Sequence, residues 1–200
     1  MHDSIRLLIA IAFLLPGAAS MADLETGLAA YMEGDYETSL TECQPLAEEG
    51  NAEAQFCVGR LYANGFGVDM NDDLALQWYG AAAAQGHCEA QYNLGLMNSN
   101  GWGVPMNDVE AAKWYALAAE QGHTQAQSSL AVLYQNGRGV EQDFVAAYTQ
   151  FYIAAELGYK NAEYDRDEVA SKLSPEQIAS AQQVAAVWLT EHPDVIVAAY

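Results

Sequence analysis

Apolar and small residues recur at helical spacing along most of the chain. In one segment Ala54, Val58 and Leu61 fall on a single helix face, because they stand three or four residues apart. A second segment of the same kind follows, with Ala75, Trp78, Tyr79, Ala82 and Ala83. Both segments return 36 residues later and once more after that. The pattern therefore predicts a unit of two helices that occurs three times.

Asparagine and glycine mark the helix ends within each unit. Gly65 and Gly67 follow the first helix, because glycine tolerates the positive φ of a helix C-cap. Asn71 has an N-cap side chain and begins the second helix, which ends at Gly86. A fixed period of this length is typical of a solenoid, whose units bury their apolar faces by stacking. The predicted fold class is all-α, with units at 51–86, 87–122 and 123–158.

Two glycines lie inside the first helix of their units. Gly59 and Gly95 each cost about 1 kcal/mol relative to alanine in a helix, and Ala131 fills the same position in the third unit. Such a cost indicates that another part of the fold comes very close. We expect the backbone of a neighbouring helix to lie there.

The two ends of the repeat array differ from its middle, as solenoid ends do. Residues 23–50 predict a degenerate N-terminal hairpin cap. Residues 159–192 predict a half-repeat, with a helix from Ala162 to about Leu173, followed by a capping helix that begins at Ser174 and Pro175. That capping helix is expected to use four apolar residues, namely Ile178, Val184, Val187 and Trp188. Residues 193–200 form a tail whose place the pattern does not fix.

The charge balance narrows the classes of partner. The chain has a net charge of -20 with only seven Lys and Arg residues, so a phosphate-binding surface for nucleic acid is excluded. An anionic membrane surface would repel the chain as well. A basic protein surface would be attracted to it. The alternative is that the charge serves only to keep an alanine-rich solenoid soluble.

Residues 1–22 have the features of a secretory signal peptide. Arg6 precedes an apolar run from Leu7 to Leu15, which is too short for a membrane span. Small residues follow, so cleavage is expected after Ser20 or Ala22, with an uncleaved anchor as the alternative. The sequence thus predicts a periplasmic or secreted protein without membrane insertion after cleavage.

Three cysteines would enter an oxidising compartment if the chain is exported. Cys43 and Cys57 lie seven residues on either side of Gly50, so a turn at Gly50 would place them at equal height on facing helices. They are a candidate disulfide, and the alternative is a pair of small buried thiols. Cys88 has no evident partner.

No motif for catalysis, cofactor binding or metal binding occurs in the sequence. A Ser-x-x-Lys nucleophile, a Gly-x-Ser-x-Gly elbow and a Walker A loop are all absent. The histidines are isolated, and His87 and His123 recur between units, which indicates a role in the turn. We therefore predict no catalytic residues, no cofactor and no metal.

The repeating positions resemble those of the Sel1-like repeat (SLR) family, a 36-residue relative of the tetratricopeptide repeat. The resemblance covers roughly residues 24–172 and rests on about a dozen positions, most of which recur in all three units. Those of the first unit are Ala52, Ala54, Gln55, Gly59, Tyr62, Gly65, Gly67, Val68, Trp78, Tyr79, Ala82, Ala83 and Gly86. The chain departs from the family pattern at Val58, where Leu is usual, at Asn98 in place of Tyr, and at Gln150 in place of Trp.

This resemblance implies an α/α right-handed superhelix that acts as an exported, non-catalytic adaptor or regulator and binds a protein or peptide. A monomer is expected. The alternative function is a cell-envelope enzyme of the β-lactamase or penicillin-binding type, which has been associated with a cysteine-rich branch of the family. This chain lacks the dense cysteines of that branch.

The resemblance also implies that the first helix of each unit lines the concave side. Residues on that face that do not repeat are the best candidates for partner specificity, because the repeating ones are explained by the fold. The candidate binding residues are Glu53, Phe56, Arg60, Glu89, Tyr92, Leu96, Gln125 and Val132.

Overall fold

The computed structural model describes the backbone of residues 16–198 and the side chains of residues 23–195. Within these bounds the chain consists of helices and turns, with no β-strand. The helices are α1 (Pro16–Glu33), α2 (Tyr36–Glu48), α3 (Ala52–Asn64), α4 (Asp72–Ala84), α5 (Cys88–Asn100), α6 (Asp108–Glu120), α7 (Thr124–Asn136), α8 (Phe144–Glu156), α9 (Asn161–Ala170), α10 (Pro175–Glu191) and α11 (Pro193–Ala198).

Each predicted unit is a helical hairpin with the predicted caps. In the first unit Asn51 Oδ1 accepts a hydrogen bond from the backbone N–H of Ala54, which begins α3. Gly65 ends α3 in the left-handed conformation, at a φ of 66°. Asn71 caps α4 through the N–H of Leu74. The equivalent positions of the next two units have the same geometry.

Consecutive helices pack against one another from α1 to α9, which makes the fold an all-α solenoid. Alanines on both helices of each hairpin are fully buried, so neighbouring helices approach closely. The larger apolar residues fill the space between hairpins; Tyr79 and Tyr115 are buried there, and Trp78 and Trp114 are half-buried. The C-terminal α10 packs on α8 and covers the last hairpin.

Buried glutamines link the units through hydrogen bonds. Gln91 Nε2 donates to the carbonyl of Ala83, and its Oε1 accepts from Gln121 Nε2 at 2.7 Å. In the next unit Gln127 donates to Ala119 in the same way, but its buried Oε1 has no partner. The reason is that Leu157 stands where the repeat would supply the second glutamine.

The expectation for the helical glycines was wrong in one respect. A Cβ built on Gly59 would lie 2.6 Å from Tyr79 Cδ1 and 2.7 Å from Cε1, so the close neighbour is an aromatic ring rather than a helix backbone. Gly95 meets Tyr115 in the same manner. The glycine makes room for the tyrosine of its own hairpin.

The C-terminal cap agrees with its start signal, and its predicted apolar face is confirmed in part, because Ile178 and Trp188 pack against core clusters. Ser174 and Gln177 form a capping box at the start of α10, with Pro175 in its first turn. Val184 and Val187 are 56% and 51% exposed, contrary to expectation. The buried residues of α10 are instead two alanines, Ala181 and Ala185, because close packing on α8 selects small side chains.

At both ends of the chain the structure contains helical residues that the sequence pattern did not predict. The apolar run of the predicted leader lies outside the described residues, and α1 begins at Pro16, so residues 16–22 are helical. The short α11 follows α10, and its Val195 packs with Ile153 and Leu157. No helix among the described residues is long and apolar enough to span a membrane.

Candidate binding groove

Helices α1, α3, α4, α5 and α7 contribute side chains to one groove with a cavity of about 440 Å³. Its walls combine aromatic rings, amides and two opposite charges. The lining residues are Tyr31, Phe56, Arg60, Asn64, Tyr79, Glu89, Tyr92, Asn93 and Gln125.

Arg60 is held in the groove by aromatic rings rather than by a carboxylate. Its Cζ lies 3.9 Å from the ring centroid of Tyr31 and 5.4 Å from that of Phe56. A guanidinium is attracted to the face of an aromatic ring by the quadrupole of the ring. No ion pair joins Arg60 to another described residue, so its N–H groups are available to a partner.

His123 positions two groove residues at the next turn. Its Nδ1 accepts the capping hydrogen bond from the N–H of Ala126 at 3.1 Å, which places the ring proton on Nε2. Nε2 lies 3.3 Å from Glu89 Oε2, and the ring stacks on Tyr92 at a centroid distance of 4.3 Å. The hydrogen bond from His123 lowers the pKa of Glu89, so Glu89 is ionised in the groove.

The same arrangement occurs one unit earlier. His87 Nδ1 caps α5, and His87 Nε2 lies 3.0 Å from Glu53 Oε2. The ring of His87 packs on Phe56 at 4.5 Å. The histidines therefore have the predicted role in the turns, and each one also joins two consecutive units.

Five of the eight candidate residues line the groove, namely Phe56, Arg60, Glu89, Tyr92 and Gln125. Phe56 is only 7% exposed and forms part of the wall. The other three lie outside the cavity lining. Glu53 pairs with His87, Leu96 packs partly against a core cluster, and Val132 is 37% exposed on α7.

Four groove residues were not among the candidates, namely Tyr31, Asn64, Tyr79 and Asn93. Asn93 stands where the first unit has Cys57, so its departure from the repeat was a usable signal. Tyr31 belongs to the N-terminal hairpin, and its place over Arg60 depends on packing between hairpins. No repeat position indicates such a contact.

A second cavity of about 380 Å³ adjoins the groove between the first two units. Asn64, Tyr79 and Asn93 line both cavities. The remaining walls of the second cavity come from Ala63, Met70, Asp72, Met97 and Trp102.

Cys43 and Cys57 meet between α2 and α3, as the turn at Gly50 predicted. Their Sγ atoms lie 2.6 Å apart, and both side chains are buried. Hydrogen bonding to Cys57 and burial raise the pKa of the Cys43 thiol. Cys88 is half-buried at the start of α5, where burial raises its pKa to about 11. The hydrogen bond with Cys43 lowers the pKa of Cys57, whereas neither Cys43 nor Cys88 is an activated nucleophile.

The groove has the chemistry of a recognition surface. Aromatic rings offer large contact areas, amides offer hydrogen bonds, and Arg60 and Glu89 offer one charge of each sign. Among the described side chains no group of three or more His, Cys, Asp or Glu residues could hold a metal ion.

Comparisons with known proteins agree with the observed fold. The chain is similar to a Sel1 repeat protein from Oxalobacter formigenes, at 38% sequence identity and a TM-score of 0.69, over 72% of this chain and 57% of that one. It is also similar to c5321, a protective antigen of uropathogenic Escherichia coli strains that displays an SLR fold. The identity is 26% and the TM-score 0.63, over 89% of this chain and 47% of that one.

The chain thus spans about half the length of these solved structures. A search of curated proteins found no match. The Sel1 repeat model matches residues 52–87, 88–123 and 124–159, one residue later than the predicted unit boundaries. Sel1 repeat proteins generally mediate protein–protein interactions and are of a non-catalytic scaffold type. Because three consecutive repeats cover more than half of its length, the chain belongs to the Sel1 repeat family.

Proposed function

We propose that this chain is an exported, periplasmic or secreted adaptor that binds a protein or peptide partner in the groove lined by helices α1, α3, α4, α5 and α7. The observation that carries the proposal is the Arg60 guanidinium, which lies between aromatic rings and has no ion-pair partner among the described residues. Such a group gains energy from a carboxylate or carbonyl brought by another chain. The proposal of export rests on residues 1–22 of the sequence.

The side chains of the groove wall are held in place by contacts within the fold, which supports a preorganised binding site. Tyr92 stacks on His123, and Glu89 lies within 3.3 Å of the same imidazole. These side chains lose little conformational freedom when a partner binds, because packing within the fold already restricts them. Tyrosine and arginine are also the residue types that dominate binding energy in protein interfaces.

Site-specific photocrosslinking in the source organism tests the location of the partner. A photoreactive amino acid replaces Gln125, which is exposed and lines the groove. The matched control replaces Lys113, whose side chain is 62% exposed on α6 and lies outside the groove lining. We expect a discrete crosslinked species at Gln125, identified by mass spectrometry, and none at Lys113.

Charge removal then tests the role of the guanidinium. Arg60→Gln is expected to weaken the crosslink at Gln125, whereas Lys113→Gln, with its own charge loss, leaves it unchanged. Circular dichroism checks that each variant is folded. Equal capture at both positions, or a crosslink unaffected by Arg60→Gln, would refute binding in this groove. Cell fractionation tests export, and recovery of the chain in the cytoplasm alone would contradict it.

A further inference from the structure

One loop position in each unit contacts the start of the second helix in the preceding hairpin. In the first unit Phe66 stacks on Tyr36, with ring centroids 4.4 Å apart and an interplanar angle of 11°. In the third unit Arg138 donates two hydrogen bonds to the Asp108 carboxylate, at 2.9 and 2.8 Å. Each contact joins two chemically matched side chains.

The second unit has the same backbone contact but an unmatched pair of side chains. A Cβ on Gly103 would lie 2.8 Å from the carbonyl oxygen of Asp72, so the loop rests on the helix start as in the other units. The loop side chain is Trp102, which is 49% exposed. Asp72 forms no ion pair or side-chain hydrogen bond with any described residue. The aspartate therefore lacks the arginine that its counterpart Asp108 has.

Asp72 and Trp102 both line the cavity of about 380 Å³ that adjoins the groove. Asn64 and Asn93, which also line it, donate their Nδ2 groups to carbonyls of their own helices at 2.8 and 2.7 Å. Their Oδ1 atoms therefore remain as acceptors. A carboxylate, two amide oxygens and an indole face form a set that complements a flat cation with several N–H donors.

We propose that this cavity binds an arginine side chain of the protein partner. The guanidinium would pair with Asp72 and stack on Trp102, and so reproduce between two chains the contact that Arg138 makes with Asp108 within one. Arginine fits better than lysine because its planar fork donates to a carboxylate through two parallel bonds. The net charge of -20 attracts basic segments to the surface.

The inference rests on the proposed function, because the cavity and the groove share Asn64, Tyr79 and Asn93. A partner segment that lies in the groove would reach the cavity without leaving the surface. The partner segment must therefore contain an arginine that reaches the cavity.

The test is a titration of the ¹⁵N-labelled full chain with N-acetyl-arginine amide, followed through the indole N–H resonance of Trp102. N-acetyl-citrulline amide is the control ligand, since it has the same shape without the charge. We expect a saturable shift with the arginine compound and no saturable shift with citrulline. Asp72→Asn is expected to weaken binding on the order of fivefold, the size of a partly exposed ion pair. Asp73→Asn removes the same charge from an exposed neighbouring position and should leave binding unchanged.

A second variant guards against a nonspecific charge effect. Trp102→Arg copies the loop of the third unit and is expected to occupy the cavity from within, so that the backbone resonances of the variant no longer respond to the arginine compound. Equal shifts with citrulline, equal effects of the Asp72 and Asp73 changes, or undiminished binding by Trp102→Arg would overturn the inference. If the arginine site fails while the crosslink at Gln125 persists, the groove function stands without it. If arginine binds but no crosslink forms, the proposed function fails instead.

Discussion

A close packing contact in the first repeat, where Gly59 of α3 faces the ring of Tyr79, gives a quantitative prediction. Replacement of glycine by alanine inside a helix gains about 0.5–1 kcal/mol from backbone propensity. At Gly59, however, the new methyl carbon would lie 2.6 and 2.7 Å from two ring carbons of Tyr79, far inside van der Waals contact. The ring is buried, so a shift of the ring disturbs the packing around it.

Overpacking costs about 1–3 kcal/mol, and a contact this short falls in the upper part of that range, at about 2–3 kcal/mol. After a gain in propensity of about 1 kcal/mol is subtracted, Gly59→Ala is expected to lower the free energy of unfolding by about 1–2 kcal/mol. With a urea m-value of about 2 kcal/mol/M, the unfolding midpoint should fall by about 0.5–1 M. Circular dichroism at 222 nm in a urea titration measures both quantities.

Gly80 in α4 provides the matched control. It is also a helical glycine, but a Cβ built on it meets no atom within 4 Å. Gly80→Ala is therefore expected to raise the free energy of unfolding by about 0.5–1 kcal/mol. If Gly59→Ala is as stable as the parent protein while Gly80→Ala behaves as expected, the steric explanation for the helical glycines is refuted.

Three further predictions concern hydrogen bonds, pH and the cysteine pair. Gln91→Met should lower the free energy of unfolding by about 1–2 kcal/mol more than Gln127→Met. The first change breaks the hydrogen bond from Gln121, whereas the second removes a buried oxygen that has no partner. Equal losses of stability in urea titrations would contradict this prediction. The hydrogen bond from His123 lowers the folded-state pKa of Glu89 below its ordinary value of 4.5. The ionised carboxylate therefore stabilises the fold above pH 4.5, and this stabilisation is lost as the pH falls through the folded-state pKa. Glu89→Gln should therefore cost about 0.5 kcal/mol at pH 7 and progressively less in acid, and a cost that does not change with pH would exclude the carboxylate as the cause. Cys43 and Cys57 are expected to form a disulfide in the exported protein. Alkylation in urea without reductant should then modify one thiol, and reduction should lower the free energy of unfolding by about 3 kcal/mol. Alkylation of three thiols would show that the pair is reduced.

Much of the fold could be predicted from the sequence because the solenoid is built from local signals. Gly65 adopts a left-handed conformation that few residues other than glycine tolerate, and Asn71 accepts a capping hydrogen bond that few side chains can make, so their positions define the helix ends. The period then shows that one unit packs on the next. By contrast, the exposed face of α10 depends on which surface of α8 it meets. The apolar pattern of Val184 and Val187 contains no information about that surface.

The groove was only partly predictable for a related physical reason. Residues such as Arg60 and Tyr92 were candidates because they break the repeat on the predicted concave face. Tyr31, which contacts the guanidinium of Arg60, lies in α1, whose connection to α2 is shorter than the loops of the later units, so α1 is out of the 36-residue register with their first helices. A contact between a repeat and a cap is set by packing between hairpins, and the periodicity of one chain does not encode it.

The positions that depart from the repeat acquire their meaning from the neighbouring unit. The loop side chain of each unit faces the start of the second helix in the preceding hairpin. At each such junction the two side chains are therefore either chemically complementary or not. Arg138 is matched by Asp108, and the junction is closed by an ion pair. Trp102 leaves Asp72 without a cation, and there the junction is an open cavity beside the groove. A recognition site can therefore arise in this architecture by a single mismatch between neighbouring repeats, without any change in the backbone.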